Sequence, residues 1–138
     1  MVLSSDDVRY DVSATIGTVS TNTPTSNDVY VRIVGTAGST EELMCPSGTF
    51  DTDAGTTVTC SVSSTADIGN YICVTWRLDG SDGLNIAEFT TYIDGVEQAT
   101  ISPVDGWLDA PNDGYASSGN NGQTATWCTG KRIPYNYI

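Results

Sequence analysis

Apolar and polar residues alternate with a period of two along much of this chain, the signature of strands with one face buried. YDVSATIGTV (Tyr10 to Val19) and DVYVRIV (Asp28 to Val34) show it most clearly. In the second, Val29, Val31 and Ile33 face one way, and Tyr30, Arg32 and Val34 the other. TTVTCSV (Thr56 to Val62) is β-branched and alternating. YICVTWRL (Tyr71 to Leu78) is a more continuous apolar run, which predicts a central strand covered on both sides. EFTTYID (Glu88 to Asp94) runs into an Asp-Gly pair and then VEQATIS (Val96 to Ser102), a hairpin with a tight turn at Asp94-Gly95. Pro111 to Gly130 is rich in Asn, Gly and Ser and reads as a long loop, apart from TATWC (Thr124 to Cys128). There is neither a long amphipathic helix nor an internal repeat. Short strands separated by frequent turn signals predict an all-β fold, an antiparallel β-sandwich in a single domain over residues 1–138.

Charge narrows the partners. The 138 residues carry 17 acidic and 5 basic side chains, a net charge of -12. Small soluble domains usually stay within about 2–8 charges of neutrality, so nucleic acid and bare anionic membranes are repelled. Cations, basic proteins and neutral surfaces remain. No run approaches the ~18 apolar residues of a transmembrane helix. The start, MVLSSDDVRY, lacks the features of a signal peptide and reads as a mature secreted form with an added initiator Met.

The four cysteines, Cys45, Cys60, Cys73 and Cys128, show no CxxC spacing. In so Ser/Thr/Gly-rich a chain they predict two disulfides and an oxidising compartment, with three pairings open. Histidine is absent, which removes the Ser–His and Cys–His nucleophile pairs. A carboxylate pair of the glycosidase type has Glu88 and Asp94 as its best candidate. Six residues along a strand separate them by about 20 Å, too far for that chemistry. The expectation is therefore a protein that is not an enzyme.

RLDGSDGL (Arg77 to Leu84) places Asp79 and Asp82 on one loop. With thiols oxidised and histidine absent, only oxygen ligands are left, and these favour calcium. The spacing fails the EF-hand pattern, and two carboxylates fall short of the 6–8 oxygens calcium takes. Asp-Gly is also the preferred pair for tight turns. DTDAG (Asp51 to Gly55) reads as a solvated acidic turn. In DGWLDAPNDG (Asp105 to Gly114), Trp107 and Leu108 either plug the sandwich or anchor on a partner. The terminal KRIPYNYI sets Lys131 and Arg132 beside Tyr135 and Tyr137, a basic-aromatic tail suited to an acidic neighbour or a second copy, or else a strand edge.

The order YDVSATIGTV, PTSNDVYVRIVGTAGSTEELM, DIGNYICVTWRLDGSDG and GWLDAPNDG resembles a PLAT domain (polycystin–lipoxygenase–alpha-toxin) over about residues 9–115. Thr25, Val29, Tyr30, Gly35, Gly38, Gly69, Asp79, Gly83, Trp107 and Leu108 stand at the positions of the family pattern. Departures are Ser26, where the family commonly has Asp, with the acid two places later as Asp28, and Phe89 in place of a Trp. Residues 1–8 and 114–138 extend beyond the family-like core. The resemblance implies an eight-stranded sandwich, a non-catalytic role, and binding to protein or lipid surfaces. It also implies that the loop before VYV lies beside the loop of Asp79. Asp28, Asp79 and Asp82 would then converge with Asn27 and the Ser26 region around a weak Ca2+ site. The expected function is a secreted interaction module, calcium-modulated. The alternatives are a self-assembling extracellular filament or matrix subunit and a carbohydrate-binding, lectin-like domain.

Overall fold

The computed structural model of the chain describes residues 7–18, 24–80, 82–102, 106–108 and 124–129. These contain ten strands: β1 (Val8–Ile16), β2 (Asp28–Gly35), β3 (Gly38–Ser39), β4 (Leu43–Met44), β5 (Thr57–Ser64), β6 (Tyr71–Asp79), β7 (Leu84–Ile93), β8 (Val96–Ile101), β9 (Gly106–Leu108) and β10 (Thr124–Cys128). One antiparallel sheet runs β5-β1-β7-β8, with β9 also on β7, and the other runs β10-β6-β2-β3, with β4 also on β2. The all-β sandwich is thus as expected. β3, β4 and β9 span only two or three residues each, too short to leave a periodic signal.

The alternation decides which side chains meet. Tyr10, Val12, Ala14 and Ile16 of β1 and Val29, Val31 and Ile33 of β2 all point into the core. From β6, Val74, Trp76 and Leu78 join them, while Thr75 and Arg77 on the opposite face stay half-exposed. YICVTWRL is therefore central between β2 and β10 but covered fully on one face only, a correction to its continuous apolar reading. Trp76 is the centre of the core. Its ring lies edge-on to Phe50 at 5.8 Å and to Phe89 at 5.2 Å, and Phe89 in turn meets Trp127 at 6.3 Å. Since Phe89 belongs to one sheet and Trp76 and Trp127 to the other, this aromatic chain bridges the two layers.

β7 begins at Leu84, four residues before the strand that the pattern marked. The cause is a bulge. Thr15 pairs with Glu88 but Ile16 with Ile86, leaving one extra residue on β7. That residue shifts the phase, so Leu84 and Ile86 face inward before it and Phe89 and Thr91 after it. Asn85, between Leu84 and Ile86, is itself buried on the other face. At the far end, Asp94 and Gly95 take φ values of 49° and 83°, the left-handed pair of a tight hairpin turn. Asp94 Oδ1 also accepts a bond from the Arg9 backbone N–H at 2.9 Å, tying the turn to β1.

The disulfides are Cys45–Cys60 and Cys73–Cys128. The first joins the end of β4 to β5 and so links the two sheets. The second joins in-register neighbours of β6 and β10 and staples TATWC to the body.

Three outcomes follow from this packing. Trp76→Ala should cost about 3–5 kcal/mol in chemical denaturation. Trp76→Phe should cost clearly less, because the buried Trp76 Nε1 has no hydrogen-bond partner among the described residues to lose. Removing either disulfide as a paired Cys→Ala variant should lower Tm by roughly 10 °C. The bridge closing 55 residues should matter somewhat more than the one closing 15. Finally, burial pushes the Tyr71 phenol up to about 12, only partly countered by the bond that Thr91 Oγ1 donates to it. A folded value above the unfolded value of 10.0 means that stability present below pH 10 is lost as the pH rises towards 12. Tyr71→Phe should flatten this alkaline limb of a pH–stability profile.

Candidate functional site

β2 starts and β6 ends at the same edge of their sheet, with Asp28 directly opposite Asp79. Antiparallel pairing therefore brings the segment before β2 alongside the segment after β6. The contact is made by hydrogen bonds around Asp82. Ser26 donates its N–H and its hydroxyl to Asp82 Oδ2 at 2.8 and 3.0 Å. The Asp82 N–H donates to Asn27 Oδ1 at 2.7 Å. Thr25, fully buried, donates its hydroxyl to the Asp82 carbonyl and accepts the Asn27 N–H at 3.1 Å. Thr25 also donates its own N–H to the Phe50 carbonyl at 3.1 Å, linking this clasp to the aromatic core.

Gly80 makes the close approach possible. Its φ of 142° suits glycine, and a Cβ there would fall 2.4 Å from the Asn27 side chain. The first Asp-Gly pair of RLDGSDGL is thus a seat for Asn27 and not a hairpin turn.

The electrostatics pull the other way. Asp28 and Asp79 are like charges directly opposite one another on neighbouring strands, which is unfavourable. Arg77 Nη1 lies 3.9 Å from Asp79 Oδ1, but the guanidinium is mainly committed elsewhere. It donates twice to Glu42, at 2.8 and 3.0 Å, and sits 4.2 Å over the Tyr30 ring. Its bond to Glu42 holds that carboxyl below the usual range.

The donor set is all oxygen, the type calcium takes. Yet among the described residues no three acidic, His or Cys side chains gather as a metal cluster. Asp28 and Asp79 come together; Asp82, with one carboxylate oxygen taken by Ser26, belongs to the clasp. The five expected ligands are thus adjacent, but they do not form a closed cage.

Of the expected contact residues, Leu108 is fully buried in the core, so its side chain is out of reach of a partner. Trp107 is partly exposed and pairs with Asn85, three residues along the chain from Asp82. Lys131, Arg132, Tyr135 and Tyr137 lie outside the described residues. Asp53 accepts the Thr56 N–H in a turn whose Gly55 N–H binds the Ile16 carbonyl, so DTDAG tethers β1. In the sequence, Thr25 is marked only by its place in the family pattern. Its signal was a Thr-Ser-Asn run directly before a strand, three short side chains that bond readily to nearby backbone.

No protein-family model matches the chain, and no curated protein sequence does. Solved structures do. A lipoxygenase with residues 413–417 replaced by Gly-Ser, in complex with arachidonate, superposes with a TM-score of 0.69 at 18% identity, covering 94% of this chain and 18% of the enzyme. Coral 8R-lipoxygenase, described as calcium-activated through a C2-like domain, gives 0.62 at 13% identity over 88% of this chain and 16% of that one. Alpha toxin from Clostridium absonum gives 0.61 at 13% identity, over 93% and 33% respectively. The chain therefore spans a third or less of each of these proteins. What it shares with them, and what its own strands and clasp build, is the β-sandwich fold of the PLAT domain.

Proposed function

We propose that the chain is a non-catalytic docking module that settles on a lipid surface through the end of the sandwich bearing the clasp. The observation that carries this reading is the partly exposed Trp107, paired with Asn85 near the start of β7, three residues beyond Asp82 of the clasp. An indole with one apolar and one polar side suits a membrane–water interface. Trp107 stands on a strand held in register by β7, so little ordering entropy is lost on contact. The fold shared with lipoxygenase structures and a toxin, one lipoxygenase being described as calcium-activated, supports the same reading.

Calcium is the second part of the proposal. Asp28 and Asp79 would hold the ion, with the Asp82 segment adjoining. What a cation supplies there is neutralisation of two facing carboxylates on a protein of net charge -12, easing approach to lipid headgroups. With so few carboxylates the affinity should be weak, on the order of 10⁻⁴–10⁻³ M. The two disulfides support secretion into an oxidising, calcium-rich exterior.

Two measurements test the two parts separately. In sedimentation with neutral and anionic liposomes, the protein should pellet with lipid, and Trp107→Ala should weaken this by roughly tenfold. If no vesicle carries it down, with or without calcium, the docking reading is lost and a protein partner takes its place. In thermal unfolding, calcium at a few times its expected dissociation constant should raise Tm by roughly 2–4 °C. Asp79→Asn should cancel the rise. A flat titration would remove calcium and leave the lipid result standing.

A further inference from the structure

The other sheet presents an outer face of a different character. Its β1 positions are Arg9, Asp11, Ser13 and Thr15, and its β5 positions are Thr57, Thr59, Ser61 and Ser63. The register sets Ser61, Asp11 and Tyr92 in one row across three strands, and Thr59, Ser13 and Thr90 in the next. Small hydroxyl residues between the long side chains of Arg9 and Tyr92 leave a shallow groove. It is lined by Arg9, Asp11, Ser13, Thr59, Ser61 and Tyr92 and has a volume of about 610 Å³, within the ~300–1,000 Å³ of ligand sites.

The groove is organised before any ligand arrives. Asp11 Oδ1 accepts the Ser61 hydroxyl at 2.6 Å and Oδ2 accepts Arg9 Nε–H at 2.9 Å, which fixes the carboxylate. The Asp11 side chain is 16% exposed and that of Arg9 64% exposed. Each carboxylate oxygen keeps a free lone pair, and Arg9 donates only Nε–H to Asp11 among the described residues. Among the lining residues only Arg9 and Asp11 are ionised, and they cancel, while the exposed Glu97 stands at the rim opposite Tyr92.

These features select a ligand class. Anions are repelled by the overall charge. A metal ion would find one carboxylate, already compensated by Arg9. A protein partner usually demands an apolar anchor cluster at the centre of its interface, and the lining residues offer only Tyr92. A neutral sugar chain matches each element. Its hydroxyls both donate and accept, as Asp11, Arg9, Ser13 and Thr59 require, and the C–H face of a pyranose ring can lie on the Tyr92 ring. The open form of the groove suits a chain more than an enclosed monosaccharide.

We propose that the outer face of β5, β1 and β7 is a binding site for a neutral oligosaccharide, with Tyr92 as the stacking platform and Asp11 and Arg9 as the paired hydroxyl recogniser. The site shares its sheet with β9 and Trp107 but uses none of the residues on which the lipid reading rests. It is tested by NMR titration of the whole chain with neutral hexasaccharides of glucose, xylose, mannose and N-acetylglucosamine. At least one should give saturable shifts confined to β1, β5 and β7. Tyr92→Ala should weaken that binding roughly tenfold. Thr59→Trp, filling the groove from an exposed position, should abolish it, and both variants should keep the parent Tm. Silence from all four sugars at about 10 mM, weaker than any specific site of this size, overturns the proposal. So does binding that survives Thr59→Trp. Shifts of the same face that depend on protein concentration in place of sugar would assign it to a second copy and equally overturn it.

Discussion

The edge-on contact of Trp76 with Phe89 is the interaction on which the rest of this molecule depends. It is the point where an aromatic ring of one sheet meets an aromatic ring of the other, both fully buried. Phe50 extends the contact on one side and Trp127 on the other. Burial of each large side chain contributes about 1.5–3 kcal/mol, and offset or edge-on ring pairs add about 0.5–1.5 kcal/mol. The geometry also has positional consequences. Phe50 fixes the 45–56 segment, and its carbonyl takes the N–H of Thr25, which in turn holds Asp82. The candidate docking end is therefore tied to the core through one side chain and one backbone bond.

That end shows two opposing demands. Hydrogen bonds draw the 25–28 and 79–82 segments together, while Asp28 and Asp79 repel across the same edge. Ser26 resolves part of the conflict. A carboxylate at its position would face Asp82 directly; a hydroxyl instead donates to it. With Ser26 there, the clasp closes on hydrogen bonds alone.

The sandwich also keeps its two outer faces chemically distinct. On the β6 side, Arg77 lies over Tyr30 and pairs with Glu42. On the β1 side, hydroxyls pair across strands, as Thr15 with Thr57 and Ser61 with Asp11. Such cross-strand pairs contribute about 0.2–1 kcal/mol each and hold an exposed polar face in register. Neither face needs lysine to stay soluble, because the net charge of -12 already keeps molecules apart.

Much of this was legible in one dimension. The period-two alternation determined that β1, β2 and β5 are strands, because strand geometry sends successive side chains to opposite faces, while β6 was marked by its apolar run and β8 by the turn before it. The Asp94-Gly95 turn was equally plain, since few other pairs tolerate two left-handed residues. What the chain could not show by itself were relations across it. The bulge on β7 hid that strand's first half, because its phase depends on pairing with β1. The cysteine partners depended on β4 lying beside β5 and β10 beside β6. Leu108 and Trp107 are adjacent in sequence, yet only the sheet sends one into the core and leaves the other partly outside. Asp82 meets Ser26 across 56 residues, and Asp11 meets Ser61 across 50. Local pattern sets what each strand buries; the order in which strands pair decides which polar groups share a site.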